Sequence, residues 1–160
     1  MSKNIEIKYK WTKQLALTSA YDIYIYELKN SNKKFIGWFF IAMLQFGVVG
    51  AFKHNSYGFL ILATIGLTYW YGLRWPLRKY FINKTFDKSP LANKQIDLIA
   101  KENGIYFNDN LEVSYLNISK FIQLDNAIVI YHNQGTIYIP NNSFKNKEDR
   151  DIFKNYLKNK

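Results

Sequence analysis

Two apolar runs, 35–52 and 57–73, are separated only by Lys53, His54, Asn55 and Ser56, and neither contains an Asp, Glu, Lys or Arg. At a helical rise of about 1.5 Å per residue they extend about 27 and 25 Å, near the lower limit for crossing a bilayer core of about 30 Å. Inside a bilayer the backbone must satisfy its own polar groups, so such runs cross as helices. They predict a transmembrane hairpin over 35–75, which leaves the flanking residues to build any soluble module. The mean hydropathy of -0.26 hides this, because Asn- and Lys-rich flanks dilute both segments.

The net charge of +10 gains meaning once it is divided along the chain. Residues 1–34 carry 7 basic and 3 acidic side chains, 35–73 carry Lys53 alone, 74–93 carry 5 and 1, and 94–160 carry 9 and 8. The excess flanks the hairpin, so the positive-inside rule predicts cytoplasmic termini and an exported loop. A nucleic-acid partner requires cations gathered on a folded surface, and the nearly neutral C-terminal part does not offer them. The juxtamembrane cations instead suit anionic lipid headgroups. Candidate membrane-interface residues are Lys33, Lys34, Arg74, Arg78 and Lys79, together with Trp38, Trp70 and Trp75, since indole rings favour the headgroup boundary.

The chain has no cysteine, which excludes disulfides and thiol chemistry. The first 34 residues are polar, with no short apolar stretch before a cleavage site, so the first hairpin helix is expected to direct insertion. Ile5, Ile7 and Tyr9 alternate with Glu6, Lys8 and Lys10 as in a strand, with Trp11 at its end. Thr12 can cap a following helix to about residue 28, whose apolar positions Leu15, Leu17, Tyr21, Tyr24, Ile25 and Leu28 recur at helical spacing. Core packing explains that stripe better than lipid binding, which calls for more Lys and Arg. Residues 1–34 are thus expected to form a cytosolic strand and amphipathic helix.

Within the hairpin, Gly47 and Ala51 on the first helix and Ala63 and Gly66 on the second allow close helix approach, and the same small residues are compatible with homo-oligomerisation. Gln45, Thr64 and Thr68 are the hydrogen-bonding side chains at depth, and their simplest role is to face the partner helix or a backbone carbonyl. No ionisable group lies there to suggest transport. Pro76 is expected to break or re-aim the second helix, with Leu77 to Phe86 able to continue as a short basic interfacial turn, within a basic juxtamembrane linker over 76–93.

After Ser89 and Pro90 the pattern changes to β-prone segments: 95–100, 105–108, 111–115, 118–124, 128–131 and 136–139. Turn signals separate them at Glu102-Asn103-Gly104, Asn108-Asp109-Asn110, Asp125-Asn126 and Asn133-Gln134-Gly135, which favours an antiparallel meander. A final helix over 146–158 has Glu148, Asp149 and Asp151 early and Lys154 and Lys158 late, matching the helix dipole. Its apolar stripe of Ile152, Phe153, Tyr156 and Leu157 suits one open side of a small sheet. The expected fold class is therefore an α+β membrane protein: a two-helix hairpin plus an antiparallel sheet module over 94–160 closed by a C-terminal helix.

Catalytic patterns are missing. There is no Walker loop, G-x-G-x-x-G turn, G-x-S-x-G elbow or H-E-x-x-H helix. His54 and His132 are separated by a membrane passage in this reading and cannot share a metal. The acidic cluster at 148–151 lacks calcium-loop spacing and its glycine. Neither an enzymatic activity, a cofactor nor a metal is expected, and the three N-x-S/T sequons fall on the cytoplasmic side.

The ending Gly135-Thr136-Ile137-Tyr138-Ile139-Pro140-Asn141-Asn142-Ser143-Phe144, followed by an acidic stretch and Phe153-Lys154-Asn155-Tyr156-Leu157, resembles the YcxB-like family of bacterial membrane proteins. In that family a strand ends in Ile-Pro, a Phe lies a few residues on, and a helix carries a Phe-x-x-x-Leu face. The resemblance implies a two-pass protein of the bacterial inner membrane with a cytosolic, pleckstrin-homology-like module, and its motif describes packing without a catalytic residue to transfer. Three functions follow as expectations, in this order: a membrane-tethered module binding a protein partner, an immunity protein neutralising a bacterial toxin, and a lipid sensor.

Overall fold

The computed structural model describes residues 3–107 and 110–158 and is an α+β structure with two antiparallel sheets. Its chain divides into two compact units, Lys13–Pro90 and the pair Met1–Thr12 with Leu91–Lys160. This division differs from the expected one, in which 1–34 stood as a segment apart from a module at 94–160.

In the sheet unit, β1 (Ile5–Lys10) pairs antiparallel with β2 (Gln95–Lys101), although the whole helical unit separates them in sequence. Ile7 faces Leu98 and Tyr9 faces Ile96 in that register. The alternation read from the sequence explains the pairing: Ile5 and Ile7 are buried while Glu6 and Lys8 point out and bond to each other at 2.9 Å. β3 (Gly104–Phe107) and β4 (Asn110–Ser114) complete a four-stranded sheet in the order β1-β2-β3-β4. β5 (Ile118–Gln123), β6 (Ala127–His132) and β7 (Gly135–Pro140) form a three-stranded sheet in sequence order. β6 is its centre, and Ala127, Ile128, Val129 and Ile130 are all buried, as expected of a strand covered on both faces.

The C-terminal helix α5 (Lys147–Lys158) begins where the Asn146 side-chain oxygen accepts the Asp149 N–H at 2.7 Å. Its Phe153 and Leu157 are fully buried in one cluster with Ile5, Ile7, Leu98, Ile105, Ile130 and Ile139. The helix thus closes the core as its stripe predicts, and Lys3 ties it to β1 through an ion pair of 2.7 Å with Asp149. The hydrogen bond to Asp149 holds the Lys3 ammonium above its ordinary pKa.

In the helical unit, α1 (Lys13–Asn30) leads to α2 (Lys34–His54), α3 (Gly58–Leu67) and α4 (Arg74–Thr85). Of the apolar stripe expected on α1 only Tyr24 is buried, alongside Ala16 and Ser19, and Tyr21 is exposed. Asn55 ends α2 in a left-handed conformation, φ 50°, with its N–H on the Gly50 carbonyl, and so reverses the chain within a few residues. A π-helical turn, Thr68–Leu73, joins α3 to α4 with helical dihedrals on both sides. Pro76 therefore does not break the helix, and the continuation over 77–86, the other expected course, is the one taken by α4. The π-turn immediately before it, in which the Arg74 N–H reaches the Tyr69 carbonyl, supplies a different hydrogen-bond register at the place where a proline removes a donor and crowds the preceding turn.

Among the described residues one helical segment, Phe35–His54, is long and apolar enough by itself to cross a membrane, and 17% of its apolar window is buried within the chain. The expected second spanning helix appears as α3, only 10 residues long before the π-turn interrupts the regular α-helix. The small residues do the packing foreseen for them: a Cβ on Gly47 would lie 2.6 Å from the Leu60 nitrogen, one on Gly66 would strike the Phe40 ring, and Ala63 is fully buried. Thr64 donates to the Leu60 carbonyl at 2.7 Å. Gln45, Thr64 and Thr68 are all exposed.

Candidate functional site

α5 and its neighbours seal part of the core of the sheet unit, and elsewhere in that unit a groove remains. Its walls come from β1 and the residue after it (Tyr9, Trp11), β2 (Ile96, Leu98), β3 (Phe107) and β7 (Ile137, Tyr138), and its volume is about 220 Å³. Glu112 is the one charged residue lining it, and Thr136 and the two tyrosines bring hydroxyls. The cavity is smaller than the roughly 300–1,000 Å³ typical of sites for whole small molecules. It suits an apolar side chain of a partner better than a substrate that must be surrounded.

The sequence explains why the groove forms there. Trp11 lies just beyond the last paired residue of β1, where its N–H bonds to the Lys94 carbonyl at 2.9 Å and its carbonyl accepts from Asn93 at 2.9 Å. Asn93 takes φ 58° to make that turn, a conformation its short polar side chain tolerates. Tyr9 packs edge-on to Trp11 at 6.4 Å, and burial pushes its phenol up to about 12. Two aromatic rings at a strand end, with Leu91 close in sequence to the partner strand, are bulky enough to wall a groove and too few to fill it.

The groove contains no arrangement for nucleophilic or acid–base chemistry. Among the described residues no group of three or more His, Asp or Glu gathers to hold a metal. His132 sits at the β6–β7 turn, where its Nδ1 accepts the Gln134 N–H at 3.4 Å. Burial raises the Tyr115 phenol well above its ordinary range, with a smaller contribution from Tyr156, and its hydroxyl has no hydrogen-bond partner.

The residues expected at a membrane interface divide into three groups. Trp70, Arg74 and Trp75 come together: the Arg74 guanidinium lies 4.3 Å from the Trp70 ring centre and 5.0 Å from that of Tyr24, while Trp75 stacks on Tyr24 at 5.6 Å and meets Tyr21 edge-on at 4.8 Å. Arg78 and Lys79 are exposed on α4, and Trp38 is 67% exposed on α2. Lys33 pairs with Glu27 at 2.8 Å, and Lys34 opens α2 with its side chain outside what the structure describes. Tyr21 and Tyr24 were legible only as members of the α1 stripe, and their pairing with the aromatics after the second apolar run left no local signal.

Residues 101–157 match a family model described as YcxB-like protein. This segment of the chain is similar to the YcxB-like family. The match runs from the last residue of β2 into α5, so the YcxB-like segment contributes β3 through β7 and the helix that closes the core, while β1 and the helical unit lie outside it. No curated protein and no solved structure matches the chain.

Proposed function

We propose that this is a non-enzymatic, two-pass protein of the bacterial inner membrane, with both termini cytoplasmic, that holds a pleckstrin-homology-like module at the membrane and binds a protein partner through it. The observation that carries the reading is the β1–β2 pairing. The chain leaves the sheet at Trp11 and rejoins it at Asn93 and Lys94, and those residues are hydrogen-bonded to each other. A segment that starts and ends at one point on one side of a bilayer crosses it an even number of times. If α2 spans, a second span must return the chain, and a single pass would tear β1 from β2.

The return path is available in 58–73, where α3 and the π-turn continue helically into α4 without an ionisable residue before Arg74. Exposure favours lipid around these helices: Phe46 and Phe52 are 74% and 87% exposed, and each large apolar side chain left in water forgoes about 1.5–3 kcal/mol. The core helix of a soluble protein would bury that face. The pleckstrin-homology-like reading of the module rests on four strands in one antiparallel sheet, three in the other, and one C-terminal helix against the core. The groove beside Trp11 is the place for an apolar anchor of the partner.

Because the chain lacks cysteine, single-cysteine variants test the topology cleanly. Asn55→Cys should react with a membrane-impermeant maleimide in intact cells, and Asn133→Cys only after lysis. The reverse pattern refutes the orientation, and equal labelling of both in intact cells refutes the two-pass arrangement. A photo-crosslinking residue at Thr136 should then capture one partner, whose identity separates a resident membrane protein from a toxin.

A further inference from the structure

Among the described residues Arg74 has no acidic partner. It is partly buried where the π-turn meets α4, ring faces of Trp70 and Tyr24 lie within 4.3 and 5.0 Å, and its Nη1 is enclosed without a hydrogen-bond partner. Arg78 follows one helical turn later, and neither arginine takes part in an ion pair among the described residues. Of the three acids in the helical unit, Glu27 is paired with Lys33 and Asp87 with Lys13. Two like charges at i and i+4 repel on an isolated helix, so this spacing is unfavourable until an anion bridges it. Aromatic faces attract a guanidinium but do not replace the charge-assisted hydrogen bonds that its planar fork makes to paired oxygens. They do fix its orientation, so little freedom remains to be lost when such an acceptor arrives.

We infer that Arg74, held between Tyr24 and Trp70 and assisted by Arg78, binds the phosphate of an anionic lipid headgroup. This rests on the membrane reading above. The lipid is favoured over free phosphate by position: Arg74 is the first ionisable residue after the apolar run 57–73, where a spanning helix meets the headgroups.

The test is native mass spectrometry of the full chain in detergent with phosphatidylglycerol or phosphatidylcholine of matched acyl chains. The wild type should retain phosphatidylglycerol preferentially. Arg74→Gln should weaken that binding about tenfold or more, as expected for loss of a charge-assisted phosphate contact. Arg74→Lys, which keeps the charge without the stacked fork, should fall between, and carries the comparison if the Gln variant does not fold. Lys84→Gln removes a charge from the same helix and should stay within about twofold. Equal losses for Arg74→Gln and Lys84→Gln, or no headgroup preference in the wild type, overturn the site. Arg74-dependent displacement of the lipid by inorganic phosphate keeps the anion site and overturns the lipid as its source. Carbonate extraction of the same cells reads anchoring separately: release of the wild type overturns the membrane reading, whereas retained protein without a headgroup preference overturns the site alone.

Discussion

A fragment cut at the apparent boundary of the soluble module should not fold. Residues 91–160 contain every strand except β1, yet β1 places Ile5 and Ile7, 1% and 0% exposed, in the centre of the core. Losing each isoleucine costs about 2–5 kcal/mol by analogy with truncation to alanine, hence about 4–10 kcal/mol for the pair. A unit of about eighty residues has a total stability of about 4–12 kcal/mol. Deleting β1 also exposes one edge of β2, with its backbone donors and acceptors unpaired.

The hydrogen bonds joining Trp11 to Asn93 and Lys94 indicate how to restore the strand without the helical unit. Replacing 13–90 by a short Gly/Asn turn converts β1 and β2 into an ordinary hairpin. The assay is amide dispersion in a heteronuclear NMR spectrum together with a urea melt. The hairpin version should give a dispersed spectrum and a cooperative transition, and 91–160 alone should give neither. A dispersed spectrum and matching midpoint for 91–160 would refute the argument, because β1 would then be an ornament on a self-sufficient sheet.

Phe153→Ala should destabilise the module by about 3–5 kcal/mol, since the ring is fully buried beside Phe144, whereas Leu116→Ala, at a side chain 88% exposed, should stay within about 0.5 kcal/mol; hydrogen exchange at the β6 amides reads both. Gly47→Leu should separate α2 from α3, because even a Cβ there meets the Leu60 backbone; a disulfide engineered across these two helices should form less completely in the variant, and undiminished yield would count against the contact. Tyr9 is protonated to higher pH folded than unfolded, so its contribution is intact below about pH 10 and is lost as pH rises toward about 12; in Tyr9→Phe that part of the alkaline loss, monitored by urea midpoint, should disappear.

Local chemistry was the readable part of the fold. Strand alternation and the turns at Glu102-Asn103-Gly104, Asp125-Asn126 and Asn133-Gln134-Gly135 anticipate β2 through β7 to within a few residues, and the acidic start and Phe153/Leu157 stripe anticipate α5. The turn expected at 108–110 falls partly on Asn108 and Asp109, which lie outside the described residues. The pairing of β1 with β2 was hidden because strand alternation specifies a face and not a partner, and the partner lies beyond the helical unit. Pro76 left a break and a continuation over 77–86 both open, and the structure takes the continuation. A proline penalises a regular α-helix, but the π-turn at Thr68–Leu73 changes the local register before the penalty arises. On α1 the expected stripe of Leu15, Leu17, Tyr21, Tyr24, Ile25 and Leu28 is buried only at Tyr24, whose ring, like that of the exposed Tyr21, meets Trp75. The groove could have been suspected from Tyr9 and Trp11, two large rings at the end of a strand just before the chain departs for another unit.

That placement links binding to attachment. Trp11 lines the groove and also forms the two backbone hydrogen bonds that close the point of departure and return, and Leu91, the first residue of the returning chain, lines it as well. The groove wall is therefore part of the neck at which the chain leaves the sheet and returns to it. A partner side chain entering it would press against Trp11 and Leu91, so its binding free energy would include any adjustment of the neck, and by reciprocity a perturbed neck would weaken the partner. Asn93→Pro tests this. It removes the N–H that bonds to Trp11 and forbids the positive φ, while substituting no groove side chain. Crosslinking from Thr136 should fall in that variant even if the β6 amides keep their exchange protection. Undiminished crosslinking with the neck bond gone would show that groove and neck are energetically independent.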